Sequence, residues 1–504
     1  MGPHRPYLAY IADVLPSLGE EGVQTCALRD LVSEGAGAAV ESDPDVALLK
    51  SSADMVTAIE PAVRLYEEPP TEGLMVETSW ADIWVSPADW AEAFDAADPD
   101  TPHNEARDQV WDELLTILID AYDDEDEAFS ADLLRRSLQQ NEELIKTFNR
   151  AWTLIEAADL VGDLWSVPAY LRRCAPWLTP DEVQKLERED AQAWTVSDLP
   201  LLDAARQRLG DPEASRRRRR REAVVAAERT YMDRVVDNLI AADDDGEGLV
   251  TALRQQDLRD ALVDEAALPR TDPDRLAGPF AHIIVDEAQE LTDAEWQMLL
   301  RRCPSRSFTI VGDRAQARHG FTESWQERLE RIGLDNINVA TLSINYRTPE
   351  EVMAEAEPVI RAVFPDANVP TSIRRSGVEV VHGPTSDLGS ILDNWLATHA
   401  DGIACVIDAD GVEDDTFADG VEDDTFTATS RVRTLTPEHS KGLEFDLVVL
   451  IDPAEFGKGS LGAGIEGTVD RYVAMTRATQ QLIILTSTGR GMGVGTTVPD
   501  PRPI

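Results

Sequence analysis

From Gly278 onward the chain alternates short apolar runs with segments of helical period, and this alternation restricts the fold more than any other feature. The runs are "HIIVD", "SFTIVGD", "VEVVHG", "IACVID", "DLVVLID" and "QLIILTS". Each is short, rich in Ile and Val, and bounded by Gly, Asp or Ser, as a buried strand is. Strands separated by helical segments predict an α/β protein with parallel sheets. The first run, in "HIIVDEAQE" (282–290), ends in two carboxylates, Asp286 and Glu287. Open parallel sheets bind ligands at the carboxyl ends of their strands, so this pair is placed for chemistry. A strand ending in Asp-Glu is also an ordinary exposed strand end, and the residues downstream of it decide between the two.

Residues 41–277 have a different texture. Segments such as "VWDELLTILIDAY", "LLRRSLQQNEELIKTFNRAWTLIEAADLV" and "REAVVAAERTYMDRVVDNLIAA" repeat apolar residues at helical spacing, which predicts a long, mainly α-helical insertion. Eight of the eleven tryptophans fall between Trp80 and Trp194, and at this spacing they read as core. The net charge is −49, which sits badly with a broad grip on a nucleic-acid backbone. The acid is concentrated: residues 41–134 hold 26 Asp and Glu against Lys50, Arg64 and Arg107. Such a stretch is either a solvated surface or an acidic limb that enters a basic channel on another protein. The run Arg216–Arg221 reads as local charge compensation on a solvated helix or as a contact for an acidic partner.

Other signals are weaker. "YLAYIADVLPSLG" spaces Tyr7, Tyr10, Ile11, Val14 and Leu15 as a helix does. The nine-residue tandem repeat Asp410–Ala418 and Asp419–Thr427 reads as a turn-rich acidic loop, and the tail 487–504 as disordered. Cys26, Cys174, Cys303 and Cys405 lie far apart, which predicts buried free thiols rather than a disulfide framework or zinc site. No apolar run reaches membrane-spanning length and no leader precedes the first helix, so the expectation is a cytoplasmic protein without a membrane partner.

Four more motifs come after the carboxylate pair in order. "SFTIVGDRAQ" is a second strand ending in Gly-Asp and then Gln316. "LSINYRTPEE" sets Tyr346 beside Arg347. "LTPEHSKGLEFDLVVLID" carries Lys441, Gly442 and Glu444 ahead of a strand. "DRYVAMTRATQQLIIL" places Arg471 and Arg477 before the last strand. In order and content the five resemble motifs II to VI of the UvrD-like superfamily 1 helicases, over about 200 residues. The resemblance implies P-loop NTPase (RecA-like) lobes with parallel sheets that close on ATP and Mg²⁺. Asp286 would hold the magnesium through its water shell and Glu287 would polarise the attacking water. Gln316 would sense the γ-phosphate or position water, and Arg347 and Arg477 would reach the γ-phosphate as arginine fingers do. Tyr346 would stack on adenine, Glu444 after the flexible Gly442 would face the ribose, and Arg471 is counted with the nucleotide-binding residues.

One part of such a motor is missing. A phosphate loop reads GxxxxGK[ST], because its backbone N–H groups cradle phosphates and its lysine neutralises them. The five lysines are Lys50, Lys146, Lys185, Lys441 and Lys458, and none stands in that context. The start "GPHRPYLAYIADVLPSLGE" is similar to the region around motif Ia in the HelD/HelR family of RNA polymerase recycling motors. The expectation is therefore a chain lacking the N-terminal part of the family, or one with a misassigned start. About 87 residues separate Arg347 from Thr434, too few for the extra domain that UvrD carries between motifs IV and V. The acidic insertion before motif II stands where HelD-like proteins carry the arm that enters the polymerase main channel.

These observations give a layout of 1–40 as part of the first lobe, 41–277 as the acidic arm, 278–347 as the rest of that lobe, 348–486 as the second lobe and 487–504 as tail. The first lobe should be the less stable, because a parallel sheet without its phosphate-loop strand exposes its neighbours' edges. Three functional readings remain. The first is an ATP-driven remodeller of RNA polymerase, with rifamycin displacement implied for the HelR branch. The second is a 3'-5' DNA helicase of UvrD type that contacts DNA. The third is a polymerase-binding fragment without catalysis.

Overall fold

A computed structural model describes residues 23–78, 82–122, 131–213, 217, 220, 275–318, 321, 323–409, 431–457 and 465–487. The helix read at Tyr7–Leu15, the tandem repeat, residues 488–504 and most of the arginine run lie outside these residues. Of that run, Arg217 is described and pairs with Asp211. The chain divides into two compact units, one of residues 1–31 and 279–504, the other of residues 32–278. Among the described residues no helix is long and apolar enough to cross a membrane.

The unit of residues 32–278 is mainly helical. Its helices include α1 (Pro44–Lys50), α2 (Pro87–Asp95), α3 (His103–Asp120), α4 (Ala131–Gln139), α5 (Glu142–Ala151), α6 (Ala157–Ser166) and α7 (Leu199–Leu209). In α3 the buried residues Ala106, Val110, Leu114 and Leu118 recur at helical spacing and form one stripe in the core. The segment from Leu133 to Val161, periodic throughout, is not one helix. The Asn141 side chain accepts the Leu144 amide hydrogen, which caps a new helix after α4. Residues 32–40, expected in the first lobe, pack in this unit: the Ala39 amide donates to the Trp194 carbonyl at 3.0 Å and the Val196 amide to the Ala39 carbonyl at 2.8 Å. An antiparallel hairpin, β1 (Leu74–Glu77) and β2 (Asp82–Val85), interrupts the helices. The helical reading missed it because each strand is only four residues long. Its signal is the period-two alternation of Val76, Ile83 and Val85, all buried.

A charged network is buried in the same unit. The Lys50 ammonium lies 2.8 Å from Glu41 and 2.9 Å from Asp198, and Arg188 reaches the other Asp198 oxygen at 2.9 Å. Lys50 and Arg188 also sit over the Trp165 ring, at 5.1 and 5.8 Å. Burial pushes the Asp198 carboxyl up, but Lys50 and Arg188 outweigh it and hold the group below the usual carboxylate range.

The other unit is α/β with parallel sheets. Strands β7 (Val381–Pro384), β8 (Ala404–Ile407), β9 (Val432–Leu435), β10 (Phe445–Ile451) and β11 (Ala478–Thr486) form one sheet in the order β7-β11-β10-β8-β9, parallel throughout. Helices α10 (Glu350–Arg361) and α12 (Ile465–Thr476) cover one face, where Val352, Ala356, Ile360, Val469 and Val473 meet Cys405, Val448, Leu450 and Ile484. Helix α11 (Leu388–Thr398) covers the other, with Trp395 on Ala404, Val406, Leu447 and Val449. The central strands β8, β10 and β11 are buried on both faces, which explains why they read as apolar runs, whereas β7 at the edge is mostly exposed. Strand β9, "VRTL", at the sheet edge, escaped that reading because Arg433 and Thr434 break its apolar run.

The carboxylate-bearing strand β3 (Ile283–Val285) pairs in parallel with β4 (Phe308–Ile310), with α8 (Asp293–Arg302) and α9 (Trp325–Arg331) following them. A further parallel pair joins β5 (Ile344–Asn345) to β6 (Thr371–Ser372). All four cysteines are buried and free. Burial pushes the Cys174 thiol up to about 11 and the Cys405 thiol up to about 12.

Candidate active site

Strand β3 delivers Asp286 and Glu287 to its C-terminal end. Asp286 Oδ1 accepts the Glu287 amide hydrogen at 2.9 Å. Glu287 takes a left-handed backbone, φ 53° and ψ 36°, and the short helical turn 288–290 starts from it. A side-chain-bearing residue in that region is strained by roughly 1–2 kcal/mol, and such strain concentrates at functional sites.

From Glu287 a continuous line of hydrogen bonds runs through three motifs. The buried Gln289 amide donates to Glu287 Oε2 at 2.6 Å, and its carbonyl oxygen accepts the Asp313 amide hydrogen at 3.1 Å. Asp313 Oδ2 accepts from the Gln316 side chain at 3.0 Å. Gln316 Oε1 in turn accepts from Arg477 Nη2 at 3.2 Å. Gly312 makes the turn fit, since a Cβ there would stand 2.7 Å from the Trp325 ring and 2.8 Å from Gln289 Oε1.

The titratable groups on this line are displaced by their surroundings. Burial pushes the Glu287 carboxyl up, and neighbouring Asp286 adds to this; Arg477, Gln289 and Lys441 oppose it. Burial likewise raises Asp313, against its hydrogen bonds from Gln316 and Ala315. Arg477 is almost wholly buried, and burial pushes its guanidinium below the usual value. Arg347 adds to the depression, while Glu287 and Glu444 oppose it. A carboxyl with raised affinity for protons, near a buried arginine, suits general-base and charge-stabilising work.

Arg347 and Glu444 meet at 2.6 Å. Asn345 sets up the turn before them: its Oδ1 accepts from the Arg347 amide at 2.9 Å and the Thr348 amide at 3.1 Å. Gly442 has φ 75°, a left-handed turn between Lys441 and the strand that carries Glu444. Tyr346 stands beside Arg347 with 74% of its surface exposed. Glu287, Gln316 and Arg477 are thus brought together, Arg347 and Glu444 form a pair within their field, and Asp286 adjoins Glu287. Arg471 stands apart: among the described residues no hydrogen bond or ion pair joins it to this cluster, and its Nε is buried without a partner.

Two further ties escaped the sequence reading. Lys441, buried, donates to Glu290 at 2.6 Å and to the Gln316 carbonyl at 3.2 Å. Arg318, two residues past Gln316, lies 2.9 Å from Glu438, 2.7 Å from Glu466 and 3.0 Å from Asp470. These residues fasten the β4 turn onto α12, and Ala315 between them enters the core of the five-stranded sheet. Gln289 and Asp313 lay inside quoted motifs and could have been found there. Arg318 and Asp470 are single charges 152 positions apart, with no local pattern to join them.

No protein-family model matches the chain, and no curated protein matches it. Among solved structures, the chain is similar to the methylated PRRSV nsp10 helicase at 13% identity, over 41% of this chain and 36% of that one, with a TM-score of 0.16. A second crystal structure of PRRSV nsp10 gives 14% identity, 40% and 35% coverage and a TM-score of 0.14. The shared region spans about a third of those helicase chains, and at these scores the likeness is too slight to bear on function.

Proposed function

We propose that the α/β unit carries the hydrolytic side of a superfamily 1 nucleotide site, built between two RecA-like lobes, in a motor that acts on RNA polymerase. The observation that supports this most is the line from Glu287 through Gln289, Asp313 and Gln316 to Arg477. It joins the ends of three separate motifs in the order the motor would need. A γ-phosphate and its attacking water would meet a base, an amide and an arginine held in fixed relation.

The residues fit ATP and magnesium in part. Asp286 and Glu287 are hard oxygen donors of the kind magnesium takes alongside water and phosphate. Tyr346 offers an exposed ring face, and Arg347 and Arg477 offer planar cations. Bound magnesium would neutralise charge on the phosphates. The phosphate-loop lysine has no counterpart in the 504 residues, and Lys441, held by Glu290 and the Gln316 carbonyl, is not placed to replace it. Weak nucleotide binding without measurable turnover is therefore expected of this chain by itself.

For the partner, the acid of residues 41–134 favours a basic protein channel over a duplex backbone. RNA polymerase is the proposed partner, with rifamycin displacement as an extension that rests on the HelR resemblance alone. Binding of a fluorescent ATP analogue, ATP turnover with and without RNA polymerase, and co-purification with polymerase test these parts separately. Nucleotide binding unaltered by Arg477→Met would refute the site. Failure to co-purify, together with tight duplex binding, would favour the DNA helicase reading.

A further inference from the structure

The outward face of the β1–β2 hairpin holds a feature that the nucleotide reading does not use. The register sets Met75 directly opposite Trp84 and Glu77 directly opposite Asp82. Val76, Ile83 and Val85 point the other way into the core. Met75 and Trp84 remain 45% and 53% exposed, whereas Trp90, Trp152 and Trp165 of the same unit are fully buried. The Trp84 indole lies against Gly73. A Cβ on Gly73 would come within 2.7 Å of its ring, so the indole lies across the one residue type that admits it there.

The neighbouring charges are of one sign. Glu77 and Asp82 face each other across the ladder, where like charges disfavour the pairing. Among the described residues neither carboxylate forms an ion pair. A half-exposed Trp–Met pair beside two facing carboxylates has the composition of an interface anchor: a large apolar contact with charge beside it. Such a face complements a cation that lies over the indole and reaches the acids.

We propose that this hairpin face docks an arginine-rich segment of a partner protein, with a guanidinium over Trp84, its stem against Met75, and Glu77 and Asp82 as its counter-charges. The proposal refines the basic-partner part of the functional reading and is independent of the nucleotide site. Fluorescence anisotropy of a labelled oligoarginine peptide on the full chain at physiological salt tests it. Trp84→Ala is expected to weaken binding about tenfold and Trp84→Phe by less, since phenylalanine keeps a smaller π face. Trp177→Ala, removing another exposed indole, should leave binding unchanged. Glu77→Gln with Asp82→Asn should weaken binding and flatten its salt dependence. Affinity for Trp84→Ala within twofold of the parent would overturn the proposal, since diffuse charge would then account for the binding. Tighter binding of single-stranded DNA than of the peptide would overturn it too. Circular dichroism of each variant identifies a lost fold, and Trp84→Phe retains a readout if Trp84→Ala unfolds. Because the probe is a peptide, failure of the chain to co-purify with polymerase would leave this inference standing.

Discussion

Arg318→Ala is the sharpest test of how the β4 turn is fastened to α12. The Arg318 side chain is 19% exposed, Asp470 is 4% and Glu466 13%, whereas Glu438 is 63% exposed. The Glu438 contact is therefore screened, and Asp470 and Glu466 set the magnitude. Removing one partner from a buried pair destabilises by about 3–5 kcal/mol, because the remaining charge stays desolvated. Burial already raises the Asp470 carboxyl, with Arg318 the foremost group opposing it, so the variant raises it further. A carboxyl raised in the folded state stabilises the fold fully below its unfolded value and loses that contribution as pH rises through the folded one. The damage should thus be largest near neutrality and shrink as acid protonates Asp470. Urea unfolding at neutral and mildly acidic pH measures this, with Arg318→Ala/Asp470→Asn as the partner variant. The double variant should recover much of the loss. A loss independent of pH, or a double variant no better than the single one, would refute the role given to Asp470.

Three other perturbations draw on the same geometry. Lys50→Met strips Asp198 of one of its two cations and should cost roughly 3 kcal/mol at neutral pH; because Asp198 is held below its usual range, the parent's stability should fall as acid titrates it, and the variant's should fall less in a thermal-melt series. Gly312→Ala forces a methyl against Trp325 and Gln289 and should cost about 1–3 kcal/mol, with unchanged melting disproving the close approach. Glu287→Gln keeps an acceptor for Gln289 but removes a carboxylate whose ionisation burial disfavours; it should stabilise by about 1 kcal/mol near neutrality and not at low pH, and equal melting temperatures across pH would count against that.

The residues that the sequence revealed and those it hid differ in a physical way. The six strand runs could be read because all six strands they mark, β3, β4, β7, β8, β10 and β11, pair in parallel, and the buried members of such sheets write apolar residues into the chain. Glu287, Gln316 and Arg477 could be read because each closes or precedes such a strand. The hairpin was hidden because two four-residue strands carry too few alternations to stand out against helical neighbours. Trp84 was hidden by the same rule that placed Trp90 and Trp165 correctly: helical spacing assigns tryptophans to the core, and a strand turns every second one outward.

Glu287 shows why motif content and function stand at different distances from the sequence. The identity of the residue is visible in "IIVDEAQE", but its chemistry depends on three things the string does not contain. Its backbone is left-handed, with φ 53°; its carboxyl is raised chiefly by burial; and its geometry is fixed through Gln289 to Asp313. Each would be a liability in a structural residue. Strain favours a rearranged backbone and desolvation favours the neutral carboxyl, while the buried Arg477 pulls the other way towards the carboxylate. A γ-phosphate with its magnesium would offset the strain and the burial, since it draws on the arginine and the base together. The strain and burial gathered at Glu287 are what the proposed phosphate site would require, and the lysine that would grip that phosphate is not among the chain's five.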